Sequence, residues 1–185
     1  MADHRIKALS DDKLVLLSKA AADTDSFGEL ARRHTDGLRA FLHRVCRDEE
    51  KARDIAQSAL VQAFIHIKSF RGASSFKTWL YQIGYREFLK TVRKSKNEIR
   101  LLEEARQHAE IISAADPGQT LDLADAMEAL SVPEQACVAL CTVFGLTHEE
   151  ASKAMKMPIG TVKSHINRGR SKIDRYLNGE TSHVE

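Results

Sequence analysis

Apolar positions recur at three- and four-residue spacing along nearly the whole chain. No segment alternates apolar and polar residues long enough to make a strand. The pattern predicts an all-α protein. Ser10 or Asp11 caps a first helix with Leu14, Leu17 and Ala21 inward. Asp25 or Ser26 opens a second, with Phe27, Leu30, Ala31, His34, Leu38, Phe41, Leu42 and Val45 on one side. After a turn at Arg47-Asp48, a third helix buries Ala52, Ile55, Ala56, Ala59, Leu60, Ala63, Phe64 and Ile67. Its other side shows Arg53, Asp54, Gln57 and Ser58. Residues 69–75 are rich in turn formers and read as a loop. A fourth helix runs from about Phe76 to Arg93, its apolar positions Phe76, Trp79, Leu80, Ile83, Phe88, Leu89 and Val92. It can continue at lower stability through Leu101, Leu102 and Ala105.

The stretch SAADPGQ, residues 113–119, reads as a linker because Pro117-Gly118 ends any helix. Leu121, Leu123, Ala124, Met127 and Leu130 then form a short amphipathic helix. Ser131 caps the next one, with Pro133 in its first turn and Glu134 closing a capping box. Val138, Leu140, Cys141 and Phe144 face inward, and Gly145 is the stop.

Residues 145–173, GLTHEEASKAMKMPIGTVKSHINRGRSKI, read as two short helices joined by a tight turn. Thr147 and Glu150 make a capping box, and Ala151, Ala154 and Met155 form the inner side. Lys156-Met157-Pro158 breaks the helix, because proline cannot continue one helix but can open the next. In the second helix Val162, Ile166, Gly169 and Ile173 share one face. Lys163, Ser164, His165, Asn167, Arg168, Arg170 and Lys172 share the other. An apolar stripe under a basic, amide-bearing face suits a helix that reads the major groove. An ordinary amphipathic pair with a solvated basic face fits the same periodicity.

Charge patterning sharpens this picture. The 185 residues carry a formal net charge of only +2, with 43% hydrophobic and 29% charged residues. The cations, however, are clustered. Arg86, Lys90, Arg93, Lys94, Lys96 and Arg100 stand against Glu87 and Glu98. Lys163, Arg168, Arg170, Lys172 and Arg175 stand against Asp174. Between them residues 101–134 are strongly acidic, with Arg106 the one Lys or Arg. Two basic patches flank an acidic connector, as expected of a nucleic-acid-binding chain. No apolar run is long enough to span a bilayer and no signal peptide is visible, so a cytoplasmic location is expected.

Taken in order, several motifs resemble one family. Ala52, Asp54 and Gln57 lie on a helix, followed by FRG at Phe70–Gly72 and TWLYQI at Thr78–Ile83. VPEQ stands at Val132–Gln135 and GTVKSHINRGRSKI at Gly160–Ile173. The chain resembles the extracytoplasmic-function (ECF) sigma factors of the bacterial sigma-70 family over about residues 10–177. GTVKS alone occurs in other helix-turn-helix regulators; behind TWLYQI it is far more specific. The resemblance implies two small helical domains. Residues 1–97 would be a region 2-like domain and 98–120 the linker. Residues 121–178 would be a region 4-like helix-turn-helix domain and 179–185 a tail.

The resemblance also implies roles. The first domain would dock on the clamp helices of core RNA polymerase through Arg53, Asp54, Gln57 and Ser58. It would open promoter DNA and capture a flipped base of the −10 element, with Arg71, Lys77, Tyr85, Arg86, Lys90, Arg93 and Lys94 as contacts. The second would read the −35 element through Thr161, Lys163, Ser164, His165, Asn167, Arg168 and Arg170, and touch the polymerase flap. The acidic linker would thread toward the polymerase channels. An anti-sigma factor is the expected restraint.

Spacing supports parts of this independently. Asp54 and Gln57 share a face one turn apart. Arg71 and Lys77 flank Phe70 and Phe76, which either hold a splayed base or belong to the core. Tyr81 and Tyr85 interleave with cations, a pattern suited to backbone or single-strand contact, while Trp79 reads as core. Gly160 and Thr161 stand at a helix N-terminus that can hold a phosphate. The sequence departs from the family pattern at Arg86 (commonly Asn), Lys90 (commonly Asp), Val132 (Leu), Ala151-Ser152 (Ile-Ala), His165 (Arg) and Gly169 (Ala).

No P-loop, HExxH or serine elbow is present, so no catalytic residue, metal site or cofactor is expected. Cys46, Cys137 and Cys141 form no CxxC pair and read as structural thiols. Two alternatives stay open on the residues. One is a stand-alone helix-turn-helix regulator binding a palindromic operator. The other is a sigma-like regulator that binds partners without opening promoters.

Overall fold

Helix ends are set by side chains that meet the backbone groups a helix leaves unpaired. The computed structural model describes residues 6–21, 23–105, 126–127 and 129–178, and within these all side chains except those of 21 and 96–105. They form seven helices: α1 (Asp11–Ala21), α2 (Thr24–Cys46), α3 (Glu49–His66), α4 (Phe76–Ala105), α5 (Val132–Val138), α6 (His148–Met155) and α7 (Ile159–Leu177). The all-α expectation holds, and α4 extends to Ala105 as the pattern allowed. The expected linker at 113–119, the apolar positions 121–124 and the tail 179–185 lie outside the described residues.

The start of α2 differs from expectation. Asp23, not Asp25 or Ser26, is the cap: its carboxylate accepts from the Asp25 N–H at 3.2 Å and from the Ser26 hydroxyl. Asp48 caps α3 by accepting from Lys51 N at 3.0 Å. Arg47, at φ 55°, makes the left-handed turn between the two helices. Both expected capping boxes form, Ser131 with Glu134 and Thr147 with Glu150. Past Val138, α5 widens into one π-turn, in which Phe144 N donates to Ala139 O at 3.1 Å. Gly145, at φ 67°, then reverses the chain. Pro158 sits at the cap of α7 rather than inside its first turn, and its carbonyl receives Thr161 N and Val162 N.

The first four helices bury Leu14, Leu30, Leu38, Phe41, Leu42, Ala52, Ala56, Ala59 and Leu80. Small residues on α3 and Gly84 on α4 bring the helices close; a Cβ at Gly84 would lie 2.7 Å from Leu38 Cδ1. Leu17 is not inward as expected. It is 43% exposed, because Val15 and Ser18 share the buried face of α1 with Leu14. Phe64 is also partly open, its ring edge-to-face with Phe27 at 5.1 Å. Phe70 and Phe76 are buried against each other and against Trp79, which resolves both as core residues. Glu29 is buried on α2 and holds Arg32 and Arg33; Arg33 also reaches Asp11, tying α1 to α2.

In the second half, α5, α6 and α7 enclose Ala136, Cys137, Leu140, Ala151, Ala154, Met155, Val162 and Ile166. Cys137 Sγ lies 3.2 Å from Met155 Sδ, and burial pushes its thiol pKa up to about 12, as suits a structural thiol. Gly169 is where α7 crosses α5: a Cβ there would lie 2.7 Å from both Leu130 Cδ2 and Val138 Cγ2.

The buried residues of the two halves form one continuous cluster. The Phe144 ring lies 5.9 Å from Phe41 and 5.7 Å from Tyr81, with the Arg44 guanidinium 5.7 Å from its centre. Helix α6 lies along α4.

Candidate nucleic-acid and partner interfaces

Helix α7 carries its polar and basic side chains on a firm base. Val162 and Ile166 are buried beneath it, which turns Thr161, Lys163, Ser164, Asn167, Arg168 and Arg170 out to solvent and leaves His165 half-buried. Ser164 Oγ donates back to Gly160 O at 2.9 Å, a local bond it must release or share to meet a ligand. Arg168 is oriented from two sides. Its Nε lies 3.4 Å from Glu134 Oε1, and one terminal nitrogen lies 3.1 Å from His165 Nδ1.

Glu134 is the anchor below this face. It is buried on α5, pairs with Lys172 at 2.8 Å, and accepts from Ser131 N at 3.0 Å. Burial alone would raise its pKa. The hydrogen bonds from Lys172 and Ser131 outweigh burial and hold it at about 2. One carboxylate thus caps α5 and ties it to α7. Sequence reasoning had found the capping role but not the cross-link, because Lys172 and Arg168 come from a distant helix.

The outward side of α3 displays Arg53, Asp54, Gln57 and Ser58, all exposed as expected. Arg53 reaches back to Glu49 at 3.3 Å. The same face continues into Val61, 51% exposed, and Ile65, 60% exposed. Asp54, Gln57, Ser58 and Val61 line one shallow groove with Gln62 and Glu87. A polar rim beside exposed branched apolar residues is the makeup of a protein-docking surface. Val61 and Ile65 were missed, yet their spacing from Asp54 and Gln57 was readable.

Helix α4 presents a divided picture. Arg86, Lys90, Arg93 and Lys94 are exposed, as is Arg71 in the preceding loop. Lys90 pairs with Glu87 at 2.7 Å. Lys90 and Lys94 share a second groove with Lys51, Asp54 and Ser58, so the α3 face and the basic end of α4 adjoin. The other two expected contacts are placed differently. Tyr85 is only 3% exposed, and burial raises its pKa to about 12. Lys77 is half-buried, and its ammonium donates to Phe144 O at 2.6 Å. Tyr81 is buried too. Phe144, from the second half of the chain, packs on Tyr81 and takes up the Lys77 ammonium, a contact that no local pattern announces.

Comparison with known proteins agrees with this layout. Residues 30–98 match sigma-70 region 2, and residues 120–173 match sigma-70 region 4. The chain is 29% identical to the ECF RNA polymerase sigma factor SigE of Mycolicibacterium smegmatis, in an alignment covering 82% of this chain and 62% of that protein. It is 27% identical to the ECF sigma factor SigW of Bacillus subtilis, over 84% of this chain and 90% of that one. Among solved structures, it superposes with a TM-score of 0.70 on the sigma factor RpoE in complex with the anti-sigma factor NepR from Bartonella quintana. That pair is 27% identical, covering 84% of this chain and 98% of the other. CnrH, solved with the cytosolic domain of CnrY, shares the fold with a TM-score of 0.67 at 20% identity, covering 93% of this chain and all of that one.

Proposed function

The chain belongs to the sigma-70 family as an ECF RNA polymerase sigma factor, and from that premise we propose how its surfaces divide the work. It makes and breaks no bonds itself; the polymerase does the chemistry. The helices before the linker, within 1–97, form the polymerase-docking and −10 domain. Residues 121–178 form the −35 domain, with 98–120 joining them.

Core polymerase docks on the exposed face of α3 through Arg53, Asp54, Gln57 and Ser58, with Val61 and Ile65 supplying apolar contact. Arg71, Arg86, Lys90, Arg93 and Lys94 bind the −10 backbone, with Lys77 and Tyr85 joining once uncovered. Helix α7 enters the −35 major groove with Thr161, Lys163, Ser164, His165, Asn167, Arg168 and Arg170 on its outer face. The observation that carries this reading is the pairing of a rigidly backed basic helix in the second half with a polar and apolar docking face in the first. Each good base contact contributes about 1–3 kcal/mol of discrimination. Similarity to a sigma factor solved with its anti-sigma factor supports a protein inhibitor as a second partner.

Transcription in vitro with core polymerase on a genomic template pool tests the reading. Promoter-dependent transcripts are expected only when the protein is added, and their absence from every template would sink it. Two variants test the division of labour. Arg168→Ala should lower −35 affinity by about 1–3 kcal/mol and leave core binding intact. Asp54→Ala with Gln57→Ala should weaken core binding about tenfold and leave −35 duplex binding unchanged. Equal loss of core binding in both would refute the assignment.

A further inference from the structure

One carboxylate and one imidazole take hold of a single guanidinium on the open face of α7. The Glu134 carboxylate is itself fixed: its Oε2 accepts from Lys172 Nζ at 2.8 Å and from Ser131 N at 3.0 Å. That leaves Oε1 for Arg168, whose Nε lies 3.4 Å away. Glu134 comes so near because α5 and α7 cross at Gly169, where a Cβ would lie 3.8 Å from the Glu134 Cβ. On its other side the guanidinium places Nη2 at 3.1 Å from His165 Nδ1. A guanidinium has no acceptor, so Arg168 donates and Nδ1 accepts. The ring proton of His165 then sits on Nε2.

Both partners lie along one edge of the guanidinium. Nε and Nη2 form its side edge, and Nη1 and Nη2 form its end edge. Among the described residues nothing meets Nη1, and the Arg168 side chain is still 59% exposed although two groups hold it. The second N–H of Nη2 is also left over. The end edge is therefore the one offered to whatever approaches α7. Its two N–H groups match the O6 and N7 acceptors that guanine shows in the major groove. A loose arginine can instead turn its side edge to a phosphate, or a single nitrogen to an acceptor on another base. The family pattern commonly has arginine where His165 stands, and an arginine there has no acceptor for this bond.

We propose that His165 and Glu134 are positioning residues for Arg168, holding its side edge so that its end edge selects guanine at one base pair of the −35 element. The proposal rests on the reading of α7 as the −35 helix and names what that helix selects. Its effect falls on discrimination more than on overall affinity. A long side chain ordered before DNA arrives costs less to order on binding. The same restraint excludes the orientations in which arginine tolerates other bases. Glu134 acts from α5 and His165 from one turn earlier on α7, so the selection is set by side chains on two helices.

Transcription by core polymerase with the full-length protein tests this, on templates that differ by single base pairs in the −35 element of one promoter the wild type transcribes. The readout is the ratio of yields between templates, which a variant that merely folds less well leaves unmoved. Arg168→Ala marks the position by erasing the preference there. At that position the wild type should favour guanine about tenfold over the other bases. His165→Leu removes the acceptor and should lower this ratio about threefold or more. His165→Asn keeps an acceptor oxygen where Nδ1 stands and should hold the ratio within about twofold, whatever its yield. Glu134→Gln keeps its oxygen for Ser131 N and Lys172, turns an amide NH2 toward Arg168, and should lower the ratio as His165→Leu does. A wild-type ratio kept by His165→Leu or by Glu134→Gln overturns the proposal. So does a preferred base other than guanine, or a loss in His165→Asn as great as in His165→Leu. If Arg168→Ala erases no preference at any position, the −35 assignment of Arg168 itself fails, and the proposal falls with it.

Discussion

The basic faces of α7 and α4 carry similar residues but meet different surroundings. Beneath α7 lies its own small domain, with Val162 and Ile166 buried and Glu134 bracing Arg168 and Lys172. Its outer face is open. Helix α4 is enclosed twice, by α2 and α3 on one side and by α6 on the other, which leaves only Arg86, Lys90, Arg93 and Lys94 of its expected contacts outside. Two basic faces of like composition thus differ in how much of them is open to solvent. One is prepared by packing within its domain, and the other is masked by packing between domains.

The strongest way to break this comparison is at the shared core. Tyr81 packs on Phe41 at 5.3 Å and on Phe144 at 5.7 Å. Tyr81→Ala should cost about 3–5 kcal/mol of stability, as loss of a buried aromatic ring does. Trp79 fluorescence in α4 and circular dichroism of the whole chain should give coincident urea transitions in the wild type, both shifted down in the variant. Two separated wild-type transitions would mean that the halves do not share a core.

Next in size is the brace under α7. The Glu134 carboxyl titrates at about 2 in the folded protein and near 4.5 when free, so the folded pKa is depressed. Its stabilisation is therefore complete above pH 4.5, and is lost as pH falls from there through about 2. Glu134→Gln should destabilise the second half by about 1.5–3 kcal/mol at pH 7, the range for a hydrogen bond to a charged group. It should also flatten the acid limb of the stability profile. An unchanged acid limb would assign that limb to other carboxylates, with Glu29, also held at about 2, the first to examine.

The smallest effect is expected at Gly169. Alanine is favoured over glycine in a helix by roughly 0.5–1 kcal/mol, but the new methyl group must displace Leu130 and Val138. The two effects oppose, so Gly169→Ala should cost no more than about 2 kcal/mol of stability and leave −35 affinity near its original value. A large loss of DNA binding there would mean that the α5–α7 spacing sets the reading angle of α7 more tightly than the packing suggests.

Much of this was legible in the chain. The capping boxes at Ser131 and Thr147 fix two helix starts by local chemistry, and both form as the spacing required. The polar face of α3 and the open face of α7 followed from periodicity alone. Asp23 was missed as a cap because Asp25 and Ser26 offer equally good local chemistry. Leu17 was misplaced because α1 has apolar residues on more than one face, and only tertiary packing selects among them. Tyr81 and Tyr85 were read as surface aromatics because cations surround them in sequence. Tyr81 is covered by Phe144, some 60 positions away, and position-by-position patterns hold no record of such a contact.

The distance between the halves tests the account most directly. Spin labels at Ser95 on α4 and Glu149 on α6, both exposed, would report it by pulsed dipolar spectroscopy in the free protein and in an open promoter complex with core polymerase. A single short distance is expected in the free protein and a clearly longer one in the open complex. The same short distance in a complex that makes transcript would contradict it.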